Sequence, residues 1–93
     1  MAFKIELAPA AFRALKKLDS DTAQRIADAI NELAADPRPA GTKKLSGEDD
    51  LYRIRVGDYR IVYEIANKRL EVLVVTIGHR RDVYRSLRRR PRG

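Results

Sequence analysis

Residues 51–65, "LYRIRVGDYRIVYEI", decide the fold. Both arms alternate apolar and polar side chains, and Gly57-Asp58 between them suits a two-residue type II′ hairpin turn. That turn sets a register. Val56 stands opposite Tyr59, Arg55 opposite Arg60, Ile54 opposite Ile61, Arg53 opposite Val62 and Tyr52 opposite Tyr63. One face of the hairpin then carries Tyr, Ile and Val against Tyr, Ile and Tyr, which is a core face. The other collects Arg53, Arg55 and Arg60. Like charges in register destabilise a sheet by a few tenths to about 1 kcal/mol. Two arginines in register, with a third two residues away, therefore need an explanation.

Outward from the hairpin the elements follow from periodicity. "FKIEL", residues 3–7, alternates and reads as a first strand. Pro9 suits the first position of a helix, where its missing N–H is not needed. Ala11, Phe12, Leu15 and Leu18 share one helical face. "LDSD" breaks that helix, and Asp19 or Ser20 can cap the next. Ala23, Ile26, Ala27, Ile30, Leu33 and Ala34 form its apolar stripe, and Pro37 ends it. Residues 37–50, "PRPAGTKKLSGEDD", read as a turn-rich connection pinned to the core by Leu45. "NK" at 67–68 makes the next turn. "LEVLVVTIGH", residues 70–79, is apolar enough for a central strand, with Leu73, Val75, Ile77 and His79 on one face and Thr76 and Gly78 on the other. "RRDVYRSL" reads as a last short strand or helix, and "RRRPRG" as a frayed basic tail. The expectation is one domain over residues 1–87, with 88–93 a flexible tail. Its class is α+β: an N-terminal strand and a helical hairpin packed on one face of an antiparallel β-sheet, in the order β-α-α-β-β-β with a short C-terminal element. The arginine face is left open to solvent.

Composition narrows the chemistry. There is no cysteine, which excludes disulfides and thiolate metal sites. No apolar run has the length of a signal-peptide core or a membrane span, so a soluble cytoplasmic protein with no membrane partner is expected. The net charge of +7 is unevenly distributed. Residues 1–50 sum to −1 and residues 51–93 to +8, and 11 of the 12 basic residues in the second half are arginine. Arginine's planar fork binds phosphate bidentately, so the basic half suits a polyanion.

The acids lie mostly in the first half as helix-surface and cap residues, there is one histidine, and no phosphate-binding or dinucleotide glycine pattern occurs. Neither a metal nor a cofactor is expected. Converging arginines stabilise the spreading charge of a pentavalent phosphate. His79 is the one side chain whose ordinary pKa lies near neutrality. Arg80 and Arg81 follow it, and Tyr84 offers a ring for stacking on a splayed base. Metal-free cleavage of RNA, in which the 2′-OH attacks its adjacent phosphate, is the coherent chemistry. Taken singly, His79 also reads as a strand-end hydrogen-bonding residue, Tyr84 as core, and the tail arginines as a solvated end. Their convergence carries the argument.

"KKLSG" at 43–47, the hairpin at 51–65 and "VLVVTIGHRRDVY" at 72–84 together resemble the RelE family within the RelE/ParE toxin superfamily. The resemblance spans roughly residues 3–87. It implies a toxin of a type II toxin–antitoxin pair that cleaves mRNA in the ribosomal A site without a metal. It also implies a neutralising antitoxin, ribosome and mRNA as partners, and contact with operator DNA only through the antitoxin complex. Carried over by position, the site is Arg53, Arg55 and Arg60 on the hairpin, with Arg80 after the third strand and Tyr84 near the C-terminus. His79 and Arg81 lie in the same run. Some members carry lysine where this chain has Arg53 and Arg55. Arginine stays protonated and is a poor base, which leaves His79 as the available proton acceptor or donor. The rival readings are a ParE-like inhibitor of DNA gyrase and a catalytically inactive co-repressor.

Overall fold

The computed structural model describes residues 2–45, 50–79 and 83. In chain order these form β1 (Lys4–Leu7), α1 (Pro9–Lys16), α2 (Ser20–Glu32), β2 (Lys43–Lys44), β3 (Leu51–Val56), β4 (Tyr59–Ala66) and β5 (Glu71–His79). The strands make one sheet in the order β1-β5-β4-β3-β2. Two helices packed on a sheet is the α+β arrangement expected from the sequence. No helix among the described residues is long and apolar enough to cross a membrane. The short element and basic tail expected after β5 lie outside the described residues, except for Val83.

The hairpin has the register its turn dictates, from Val56↔Tyr59 through Arg55↔Arg60 to Tyr52↔Tyr63. Gly57 sits at φ +60°, the left-handed conformation that a type II′ turn requires at its first central position. On one face Ile54, Ile61, Tyr63, Ile65, Val72, Val74 and Ile77 meet Ala11, Ile26, Ile30 and Leu33 from the helical segment. Each such aliphatic side chain contributes about 1.5–3 kcal/mol on burial.

The sheet departs from expectation in two places. β1 pairs in parallel with β5, Lys4↔Glu71 through Leu7↔Val74, so the sheet is mixed rather than wholly antiparallel. The helical pair returns the chain so that β1 lies beside β5 running the same way, a crossover that alternation in a four-residue strand does not encode. The β4–β5 ladder also shifts: Val62 pairs with Thr76 but Tyr63 pairs with Val74. Val75 is the extra residue of a β-bulge, which reverses the alternation on either side of it. Val72, Val74 and Ile77 therefore face the helices, and Leu73 and Val75 face away. The expected grouping of Leu73 and Val75 with Ile77 and His79 fails for that reason.

The face opposite the helices is not bare. Leu51, Val62, Val75 and Val83 form a second buried cluster there, with Leu45 and Leu73 packed against it. Leu45 does pin the connection, but on this side, with its N–H donating to the carbonyl of Leu51 at 2.9 Å. Part of the connection is a strand: β2 pairs Lys43 with Arg53 and Lys44 with Tyr52. α2 begins as expected, with the Asp19 carboxylate accepting from the Thr22 N–H at 3.2 Å. That bond holds the Asp19 carboxyl below its ordinary value. The regular helix closes at Glu32, before Pro37, and turns carry the chain onward. The carbonyl of Ala34 in those turns accepts from the Phe3 N–H at 2.7 Å, tying the entry of β1 to the exit of α2.

Tyr63 anchors the chain after α2. Its ring is fully buried and its hydroxyl donates to the carbonyl of Pro37 at 2.7 Å. With that proton committed, the hydroxyl of Thr42 donates to Tyr63 Oη at 3.4 Å. Burial pushes the Tyr63 phenol above its usual value of 10.0. Tyr63→Phe should lower unfolding free energy by about 1–3 kcal/mol in urea titrations, since the Pro37 carbonyl loses its donor inside the protein. A phenol pKa raised by folding means that the unfolded chain releases its proton first. Stability should therefore fall as pH rises above the ordinary tyrosine value, and Tyr63→Phe should lose that part of the slope.

Candidate functional site

Cross-strand neighbours point to the same side of a sheet, so the register distributes the expected site residues. Arg55 pairs with Arg60, and Arg60 with Gly78. Arg53, two residues from Arg55, pairs with Val62 and on its other side with Lys43. Arg53, Arg55 and Arg60 thus share the face away from the helices, at and near the Gly57 end. Arg55 is exposed, while Arg53 and Arg60 are half-buried. Arg60 Nη1 donates to the carbonyl of Tyr59 at 3.3 Å. Arg53 Nη1 is shut from solvent and has no hydrogen-bond partner among the described residues.

His79 falls on the other side. It pairs with Tyr59, whose own hairpin partner is Val56, and both Val56 and Tyr59 pack against the helix-side core. Its exposed ring stands edge-on to Tyr59 with centroids 5.8 Å apart. The structure brings the three hairpin arginines together but does not place His79 on their face. Arg80, Arg81 and Tyr84 lie outside the described residues.

Lys43 joins the arginine face, and sequence reasoning missed it. A two-residue strand has no period to detect, and "KK" in a turn-rich stretch gives no sign of which lysine faces which way. Gly78 is the second omission. A Cβ built on it would lie 3.4 Å from Val83 Cα and 3.5 Å from Val83 Cβ and N. The missing side chain leaves room for Val83 to pack against β5 next to the Arg60 pairing position.

Charge on this face is polarised. At the end far from Gly57 a cavity of about 410 Å³ is lined by Glu6, Asp50, Glu64, Glu71 and Arg69, among others. Lys4 pairs with Glu6 at 3.6 Å, the one ion pair recorded between described residues. A polyanion is repelled from the carboxylate end and drawn to the arginine end. Among the described residues no cluster of three or more histidines or carboxylates is arranged to hold a metal ion.

Gly78→Val should push Val83 away from β5, with a loss of about 1–3 kcal/mol from overpacking. Urea titration would show the loss. Gly78→Ala, whose methyl makes ordinary contacts, should stay close to wild type.

Comparison with known proteins identifies the architecture. The family model described as "ParE toxin of type II toxin-antitoxin system, parDE" matches residues 5–84. The mRNA interferase toxin RelE of Escherichia coli K12 is 28% identical over 88 residues, covering 90% of this chain and 92% of that one. The archaeal RelE–RelB complex from Pyrococcus horikoshii OT3 contains a chain that superposes with a TM-score of 0.77 at 27% identity, covering 86% of this chain and 97% of that one. The intact E. coli RelBE toxin–antitoxin complex gives a TM-score of 0.74 at 27% identity, covering 84% of this chain and 96% of that one. The chain belongs to the ParE toxin family, within the RelE/ParE superfamily of type II toxin–antitoxin toxins.

Proposed function

We propose that this toxin is an endoribonuclease that cleaves mRNA in the ribosomal A site by attack of a 2′-OH on its own phosphodiester, and that a cognate antitoxin neutralises it by covering the arginine face. The observation that carries the reading is the Arg53, Arg55 and Arg60 cluster, which no described carboxylate pairs. Naming of the E. coli relative as an mRNA interferase supports it.

In this reading Arg55 and Arg60 hold the scissile phosphate between two strands. Their charge stabilises the dianionic pentavalent state, and the electrostatic repulsion of the free protein is relieved when phosphate binds. Guanidinium groups supply that charge without a metal. Arg80 or Arg81 neutralises the leaving oxygen, and Tyr84 stacks on the base or orients the 2′-OH. His79 handles a proton for a nucleotide that wraps the end of the sheet, since it does not share the face on which the phosphate rests. The antitoxin partner is supported by the RelB-bound state of the similar structures, and its contact surface is expected to be acidic.

Arg60→Ala should lower the cleavage rate by about 10²–10³, as for a lost oxyanion donor, read by primer extension on mRNA in a translation reaction. Cuts at ribosome-bound codons that are absent from naked mRNA establish the reading, and a near-wild-type rate for Arg60→Ala removes the arginine face from it. The second reading is inhibition of DNA gyrase, favoured by the match to the ParE family model. Normal translation together with loss of supercoiling activity would select it.

A further inference from the structure

Lys43 and Arg53 form a second cation pair beside the first. β2 sets the Cα of Lys43 against that of Arg53, and both side chains leave the sheet on the face that carries Arg55 and Arg60. The two pairs are offset by one same-face step along β3, about 7 Å by strand geometry. Lys43 is exposed on the edge strand, so a single strand of nucleic acid reaches it without crossing the molecule. Among the described residues none of the four cations has a carboxylate within ion-pair distance.

Arg53 supplies an independent observation. Its Nη1 is enclosed with no acceptor among the described residues, an arrangement that leaves a charged donor unsatisfied. Val62, its partner on β4, belongs to the apolar cluster on this face and offers no acceptor in its side chain. Turning the guanidinium outward to an anion held by Lys43 gives that donor a partner. The site therefore favours an occupied state for a reason separate from charge repulsion.

We propose that Lys43 and Arg53 bind the phosphate next to the scissile one, so that the toxin grips two consecutive phosphates of single-stranded RNA. The inference rests on the ribonuclease reading and names the substrate contacts of the same face. Arg55 and Arg60 act on the reacting phosphate, whereas Lys43 is a positioning residue. Loss of Lys43 weakens engagement of the strand and leaves the chemistry of the engaged strand unchanged.

The test measures cleavage of ribosome-bound mRNA as a function of toxin concentration for wild type, Lys43→Ala and Lys43→Arg. It is repeated on mRNAs bearing one uncharged methylphosphonate at the linkage on either side of the cut. Lys43→Ala should raise the half-saturating concentration roughly tenfold, the scale of one charge-assisted contact, and leave the saturated rate within about twofold. Lys43→Arg should restore wild-type behaviour, because a cation alone is required. A methylphosphonate at one flanking linkage should bring wild type down to the Lys43→Ala value and penalise Lys43→Ala no further. Binding to single-stranded RNA should show a salt slope smaller by about 0.7 in Lys43→Ala, as one phosphate contact is lost. Wild-type engagement by Lys43→Ala, a loss in its saturated rate alone, or additive losses with both flanking methylphosphonates would overturn the subsite while leaving the ribonuclease reading intact. Absence of any cleavage by wild type would remove both. Both residues of the edge strand β2 are exposed, so both variants should fold, which thermal melting checks.

Discussion

The pairing of β3 with β4 around Gly57 is the constraint on which the rest depends. A glycine at positive φ closes the turn in two residues, and this leaves only one register. That register sends Ile54, Ile61 and Tyr63 to one side and the three arginines to the other in a single step. A slip of one residue would place guanidinium groups under the helices and isoleucines in water. Burial of the apolar set therefore holds the like-charged pair together, since several buried side chains at about 1.5–3 kcal/mol each outweigh repulsion of about 1 kcal/mol.

Once the two faces are separated, each acquires its own architecture. The helix side is a closed core in which Tyr63 ties the sheet to the chain after α2 through Pro37 and Thr42. Nearby, Arg38 donates to Tyr52 Oη at 3.3 Å and to Asn67 Oδ1 at 3.4 Å, adding a second clasp on the same segment. These contacts hold the path that delivers Lys43 to the sheet edge. The other side is banded, with cations near Gly57, an apolar strip under Val83, and carboxylates beyond Leu73. The face thus has a cationic end, a neutral middle and an anionic end, a gradient that the net charge of +7 alone does not describe.

The hairpin, both helices and the arginine face were legible because each rests on short-range rules: turn chemistry, alternation and helical period. β5 resisted for a physical reason. In "LEVLVVTIGH" nearly every residue is apolar, so alternation cannot show where the extra residue of a bulge sits. Val75 occupies that place and reverses the faces, which moves His79 to the side of Tyr59. β2 was unreadable because two residues carry no period, and the parallel pairing of β1 was unreadable because direction is set by the path between strands.

Sequence alone therefore determined the fold class, the hairpin register and the convergence of Arg53, Arg55 and Arg60, since these follow from neighbours a few residues apart. Tertiary structure decided which face His79 joins, that Lys43 stands beside Arg53, and that an apolar strip under Val83 divides the charged ends of the open face. Those outcomes depend on a bulge, an edge pairing and the packing of one distant side chain, Val83, on the sheet. Each is settled by competition among long-range contacts for burial and hydrogen bonds, and that competition leaves no local pattern in the residues it places.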